Sequence, residues 1–341
     1  MRLALVLLAA AMAAPLRAQW SPERPDGRAP SGVNADHTLP AGLWVFTYDY
    51  RTSSFGGTRD GTDNVSESEV LQTYSVAPTR MRAQTHLFGL ERELFDDWTF
   101  RAELPYELRS MDNRAAGNEQ FEYRSEGFGD ARLWMLPVIA RGQHSIVHLN
   151  AGVSLPTGEI DENGTSAGGV MERLPFAMQL GSGTVDLLPG ITWQMQSEMW
   201  SFGAQGLATL RLDENNNDYT LGNRYEATGW GAYRFASSTS ASLRLDLQYW
   251  GDVSGVDPMM RPNVEPTADP DAQGGTRCDL YFGLNWLGIG DFLSGQRIGA
   301  EVGVPVYQDL NGPQLQFDWT VLLSVELRFG GPPSSSTPTV M

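Results

Sequence analysis

The sequence predicts an all-β chain, a transmembrane antiparallel up-and-down β-barrel of about 12 strands. Three observations predict it. Segments of ten to fifteen residues alternate apolar and polar side chains, as in LQFDWTVLLSVELRF (315–329), where Leu315, Phe317, Trp319, Val321, Leu323, Val325, Leu327 and Phe329 oppose a mostly polar set. Aromatic residues gather toward the segment ends, among them Trp44, Trp98, Tyr106, Trp200, Tyr249, Trp286 and Phe329, as in the interfacial girdles of membrane barrels. The connections alternate between short and long, which places the long polar ones at one end.

The candidate strands run 43–52, 79–90, 98–110, 127–140, 145–155, 184–196, 200–212, 224–235, 240–250, 277–287, 297–307 and 315–329. In the first, Trp44, Phe46, Tyr48 and Tyr50 oppose Val45, Thr47, Asp49 and Arg51. The third carries Pro105, which suggests a bulge because proline brings no N–H to a ladder. The ninth sets Ala241, Leu243, Leu245, Leu247 and Tyr249 against Ser242, Arg244, Asp246, Gln248 and Trp250. Soluble sandwich strands are shorter; these have the length that crosses a bilayer at a tilt. In hydrocarbon every backbone polar group needs a partner within the protein, so the sheet must close and lose its edges.

The first eighteen residues hold Arg2, an apolar run and Ala18, the pattern of a secretory signal peptide (1–18) for export to the Gram-negative envelope. After it no apolar stretch is long enough for a membrane helix. Residues 19–40 are rich in Pro and Gly and lack periodicity, so they are expected to be a flexible periplasmic lead-in; the alternative is a plug inside the lumen. The barrel is expected over 41–330, with a flexible periplasmic tail at 331–341. Cys278 is the single cysteine, so no intramolecular disulfide forms. The net charge of −17 argues against a nucleic-acid partner.

The face opposite the greasy one lines the lumen. Its candidate pore-lining residues are Arg82, Arg101, Glu103, Glu107, Arg109, Asp130, Arg132, Asp186, Arg234, Arg244, Asp246, Asp318 and Glu326. On this register eleven Arg and eleven acids face inward, so the acidic excess lies in loops and tails. Buried charges persist only when paired, and Trp134, Trp230 and Trp250 also point in. The expected pore is therefore small or occluded and unselective by net charge.

Three stretches carry a resemblance: GFGDARLWMLPV (127–138), LNAGVSLPTGEID (149–161) and LPFAMQLGSGTVDLLPGITW (174–193). They resemble the transporter-like outer-membrane barrel family associated with the meta-pathway of phenol degradation. The resemblance implies a barrel that passes small compounds, aromatic or hydrophobic ones among them. The chain departs from a usual barrel end in carrying GGPPSSSTPTVM after Phe329. Within the third stretch Pro175, Phe176, Met178, Gln179, Gly181 and Gly183 form a candidate constriction loop, with Gly181 and Gly183 permitting tight turns; a bulged start to the sixth strand is the alternative.

Enzyme chemistry is not expected. His144, Ser145, His148 and Asn150 lie close in sequence, yet Ser145 falls on the pleat opposite His148, out of reach of a base. His86 is assigned to the lumen, but its strand and that of His148 are not neighbours, so a shared metal site is not expected. Nothing in the pattern asks for a cofactor. The acidic runs 158–164, 212–218 and 257–271 are expected at the outer face, as candidates for divalent cations or lipopolysaccharide. The function that follows is a porin-like conduit for small solutes in the bacterial outer membrane. The rival is a non-conducting barrel whose acidic outer loops bind a partner or surface polysaccharide.

Overall fold

The computed structural model describes residues 20–40, 42–95, 97–290 and 293–330. The expected signal peptide and tail lie outside them. Eleven strands build one sheet: β1 (Leu43–Gly61), β2 (Val76–Phe95), β3 (Trp98–Ala115), β4 (Ala131–Arg141), β5 (Ser145–Leu155), β6 (Asp186–Gln196), β7 (Trp200–Arg211), β8 (Arg224–Arg234), β9 (Thr239–Trp250), β10 (Gly275–Leu287) and β11 (Arg297–Gly330). Each pairs antiparallel with the next, and β11 pairs with β1 from Leu43↔Gly330 upward, which closes the cylinder. Two extra strands, Asp63–Val65 and Gln120–Phe128, extend β1 and β3 outside the closed wall.

The last strand doubles back. Its residues 297–310 pair with β10 and its residues 314–330 with β1. The Gln296 side chain donates to the Arg328 carbonyl at 3.1 Å and accepts from the Arg328 N–H at 3.0 Å, so the two arms lie side by side. The reversal falls at Asn311-Gly312-Pro313, where Gly312 takes a φ of 69° that favours glycine. The eleven runs thus cross the wall twelve times, at the twelve places the alternation predicts.

The outer face is apolar where lipid would meet it: Phe282, Leu284, Val302, Leu323 and Leu327 are all exposed. In water this belt would aggregate. No helix of the described residues is long and apolar enough to cross a membrane, and the crossings are made by strands.

Two sequence assignments are corrected by the register. Residues directly opposite share a face, and Tyr50 stands opposite His86 and Tyr48 opposite Phe88. His86 therefore lies outside, its Nδ1 2.8 Å from the Tyr48 hydroxyl. Arg82, two pairs further along, is outside as well. The β2 polarity is inverted: Met81, Thr85, Leu87 and Glu91 face in, and the polar residues misled the reading. In the second arm of β11 a bulge shifts the pairing from Ser54↔Trp319 to Phe55↔Phe317. It turns Leu315 and Phe317 inward and Asp318 outward, ending the clean alternation of 315–329 at Trp319.

Residues 20–40 are not a flexible lead-in. The Trp20 N–H donates to the Gln143 carbonyl in a short turn, and the Leu39 N–H donates to Thr99 Oγ1 at 2.8 Å, close to the same end of the barrel. Between these points the segment loops up inside the lumen, where Val33, Ala35 and Leu39 are buried. Trp230 packs against Ala29 and Val33, and Trp134 against Ala35. A segment without periodicity can still be ordered when a polar wall supplies the partners its backbone lacks.

Candidate functional site: a chamber between a plug and a lid

The plug is docked by charge. Arg28 pairs with Glu326, and the Gly32 N–H donates to Glu301, which also takes a two-pronged grip from Arg244 at 3.1 and 3.3 Å. The His37 ring lies between Asp36, 2.6 Å away, and Glu91, 2.9 Å away. Glu91 accepts in turn from Arg101 at 2.5 Å, Arg101 reaches Glu103 at 2.5 Å, and Glu103 accepts from Trp134 Nε1 at 3.1 Å. His148 and Asn150, weighed above as catalytic candidates, both meet the Ala35 carbonyl, at 3.2 and 2.7 Å. They hold plug backbone.

At the other end a loop, the lid, lies over the chamber. Residues 174–183 fold across the mouth through one turn of 3-10 helix, Phe176–Met178. Arg109 on β3 donates to the carbonyls of Ala177 at 2.9 Å and Gln179 at 2.5 Å. Asp130 accepts from the Ser182 N–H and hydroxyl, both at 2.8 Å, and from the Gly158 N–H at 3.0 Å. Gly181 lies against Gly158, where a Cβ would meet backbone, and Gly183 needs a φ of +71°. Met178 is buried with Met81, Met111, Tyr123 and Leu174, while the Phe176 ring stands edge-on to Tyr219 at 5.0 Å. Pro175 begins the helical turn.

The roof is itself partly titratable. The Tyr123 hydroxyl donates to Glu172 at 2.7 Å and Thr267 Oγ1 donates to Glu265 at 2.9 Å. Burial first, with the nearby Glu172 carboxylate adding to it, pushes the Glu265 carboxyl up to about 7. Burial and then Glu159 likewise raise Glu162 in the loop beside the lid.

Between plug and lid lies a chamber of about 510 Å³. Of the predicted pore-lining residues, Arg101, Glu107, Arg109, Asp130, Arg132, Asp186, Arg244, Asp246 and Glu326 border it, as do Phe176, Gln179 and Gly181 of the lid. Glu103 is inside and bonded to Arg101 beside the plug, and Arg234 sits at the short-turn rim on the Glu198 carbonyl. Arg82 and Asp318 are on the outer face, as corrected above. Missed altogether were Glu91, hidden by the inverted β2 register, and the plug residues Arg28, Asp36 and His37. A signal for the plug was present: Glu23, Arg24, Asp26, Arg28 and Asp36 mix signs, unlike the one-sign charge of an extended tail. Among the described residues no three His, Cys, Asp or Glu side chains converge as a metal site.

No protein-family model matches the chain, and no curated protein sequence matches it. Solved structures do. An outer membrane channel from Pseudomonas putida F1 superposes with a TM-score of 0.62 at 16% identity, covering 87% of this chain and 99% of that one. The P. putida toluene transporter TodX gives a TM-score of 0.42 at 10% identity, covering 86% of this chain and 92% of that one. A Pseudomonas aeruginosa FadL homologue gives 0.43 at 9%, covering 92% and 98%. The first likeness shows the fold, that of a bacterial outer-membrane β-barrel. Together with the closed edges and the lipid-facing belt it places the chain in that membrane.

Proposed function

We propose that the chain is a gated outer-membrane channel for small solutes, with selectivity set by the lumen side chains and the 174–183 loop. One observation carries the reading: the middle of the lumen is a chamber of about 510 Å³ lined by charged groups. A barrel serving only as a scaffold has no use for such a space, since a polar volume of that size takes up water in place of packed side chains. The plug and the lid are the two closures that solute passage has to open. The residues resembling the phenol-degradation family, 174–193 above all, supply the lid and the start of β6, and favour small aromatic or hydrophobic compounds as cargo.

A non-conducting barrel is the second reading, favoured by closure at both ends. Planar-bilayer recordings of the full chain separate the two. Discrete openings that increase when residues 174–183 are deleted support transport. A folded barrel silent with and without the lid supports the rival, and liposome swelling with aromatic acids, sugars and amino acids then identifies what passes if openings are seen.

A further inference from the structure

The outer face of the barrel changes character over β1, β2 and β3. One row of ladder neighbours runs from Trp319 through Ser54, Arg82 and Ser110 to Arg124 on the extra strand Gln120–Phe128. Residues directly opposite share a face, so all five point away from the lumen. The row has a definite height. Ser54 stands about ten residues along β1 from Trp44, whose ring stacks on Phe329 at the short-turn rim. At a rise of about 3.3 Å per residue and a tilt of about 40°, that distance is about 25 Å, the full apolar band of a membrane barrel. Trp319 in this row, with the stacked rings of Tyr225 and Tyr249 on β8 and β9, marks the outer aromatic girdle. Arg82 and Arg124 thus sit where lipid tails give way to headgroups.

Arg82 is exposed, and among the described residues it has no ion-pair or hydrogen-bond partner. Arg124 is also exposed and holds only Glu122, at 2.6 Å, a surface pair that another anion can replace at little cost. The two arginines are two strand spacings apart, about 10 Å, with Ser110 between them. Two guanidinium forks and a hydroxyl so spaced match a phosphate group, which takes paired N–H bonds from arginine. Acids stand close by: Asp112 and Glu122 form the next row outward, and Glu126 lies one row toward the membrane centre. The patch therefore has no large net charge, and what it offers an anion is directed donors.

We propose that Arg82, Ser110 and Arg124 form a binding site for a phosphate of lipid A, the part of lipopolysaccharide embedded in the outer leaflet. The lipid is the occupant because the site opens sideways at headgroup height, away from the chamber. The full chain, folded in detergent, is titrated with lipid A carrying two phosphates, and bound lipid is counted by native mass spectrometry. Arg82→Gln and Arg124→Gln should each weaken binding about tenfold, and the double variant more. Lipid A stripped of its phosphates should bind the parent no better than intact lipid A binds the double variant. Both side chains lie outside the closed wall, and heat-modifiable mobility on gels checks that each variant is folded; if Arg82→Gln does not fold, Arg124→Gln on the extra strand carries the test. Equal affinity of the parent and the folded variants overturns the proposal. Binding that EDTA abolishes in every form alike overturns it too, since the acidic residues would then hold the lipid through divalent cations. Displacement of the lipid by inorganic phosphate would show a site for free anions instead, and the lipid assignment would fall.

Discussion

His37 Nε2 lies 2.9 Å from Glu91 Oε2, joining the N-terminal plug to the barrel wall through a carboxylate that is almost wholly buried. Glu91 also holds Arg101, so one side chain serves both the plug and the wall's own charge network.

Glu91→Gln should therefore release the plug. Removing one partner from a buried ionic pair costs about 3 to 5 kcal/mol, enough to shift a docked segment toward an undocked one. Trypsin should then cut after Arg28, buried in the parent protein, at least tenfold faster. Channel openings should rise in parallel. Unchanged cleavage would show that the Arg28 and Gly32 contacts hold the plug unaided.

Asp130→Ala should loosen the lid. It strips an acceptor from the Ser182 N–H, the Ser182 hydroxyl and the Gly158 N–H, each costing about 1 to 3 kcal/mol if left unpaired in a buried place. Conductance should increase, though less than when 174–183 is deleted. The same current in both variants and the parent would remove the lid from any gating role.

Gly203→Ala should destabilise the barrel by about 1 to 3 kcal/mol. Gly203 stands opposite Trp230, whose ring lies over it and leaves no room for a Cβ. Because Trp230 also packs on Ala29 and Val33, the plug should loosen too. Urea unfolding in detergent measures the first effect, and a midpoint equal to the parent's would refute the packing argument.

The roof around Glu265 should lose stability as pH rises. Its carboxyl ionises near 7 in the fold against 4.5 ordinarily, so between these values the folded state holds a proton that the unfolded state releases. Stability is greatest below about 4.5, falls through the window and levels off above 7, by up to roughly 3 kcal/mol. Protection factors of the amides across 260–268, with the base catalysis of exchange divided out, should be lower at pH 8 than at pH 5, and Glu265→Gln should flatten the difference. Equal protection in the parent at both pH values would argue that Glu265 ionises normally.

Much of the wall was legible in the chain. Strands such as β9 write their two faces directly, because Leu243, Leu245 and Leu247 must meet lipid while Arg244 and Asp246 must meet partners. The tight turns of the 174–183 loop were legible through Gly181 and Gly183, whose backbone demands are local. The β2 face was not, since Arg82, Gln84 and His86 look like lumen residues until Tyr48 and Tyr50 on β1 are seen to share their side. Nor was the turn inward at Phe317, which depends on a bulge opposite Phe55.

The sequence by itself determined the barrel, its crossings and the sorting of greasy from charged faces, because alternation along a strand is a local property with a single period. Tertiary structure alone decided the contents of the lumen. Plug docking, the Glu91 junction and the bulge that sets Phe317 against Phe55 each join residues far apart in the chain, and a contact of that kind leaves no periodic trace in either partner.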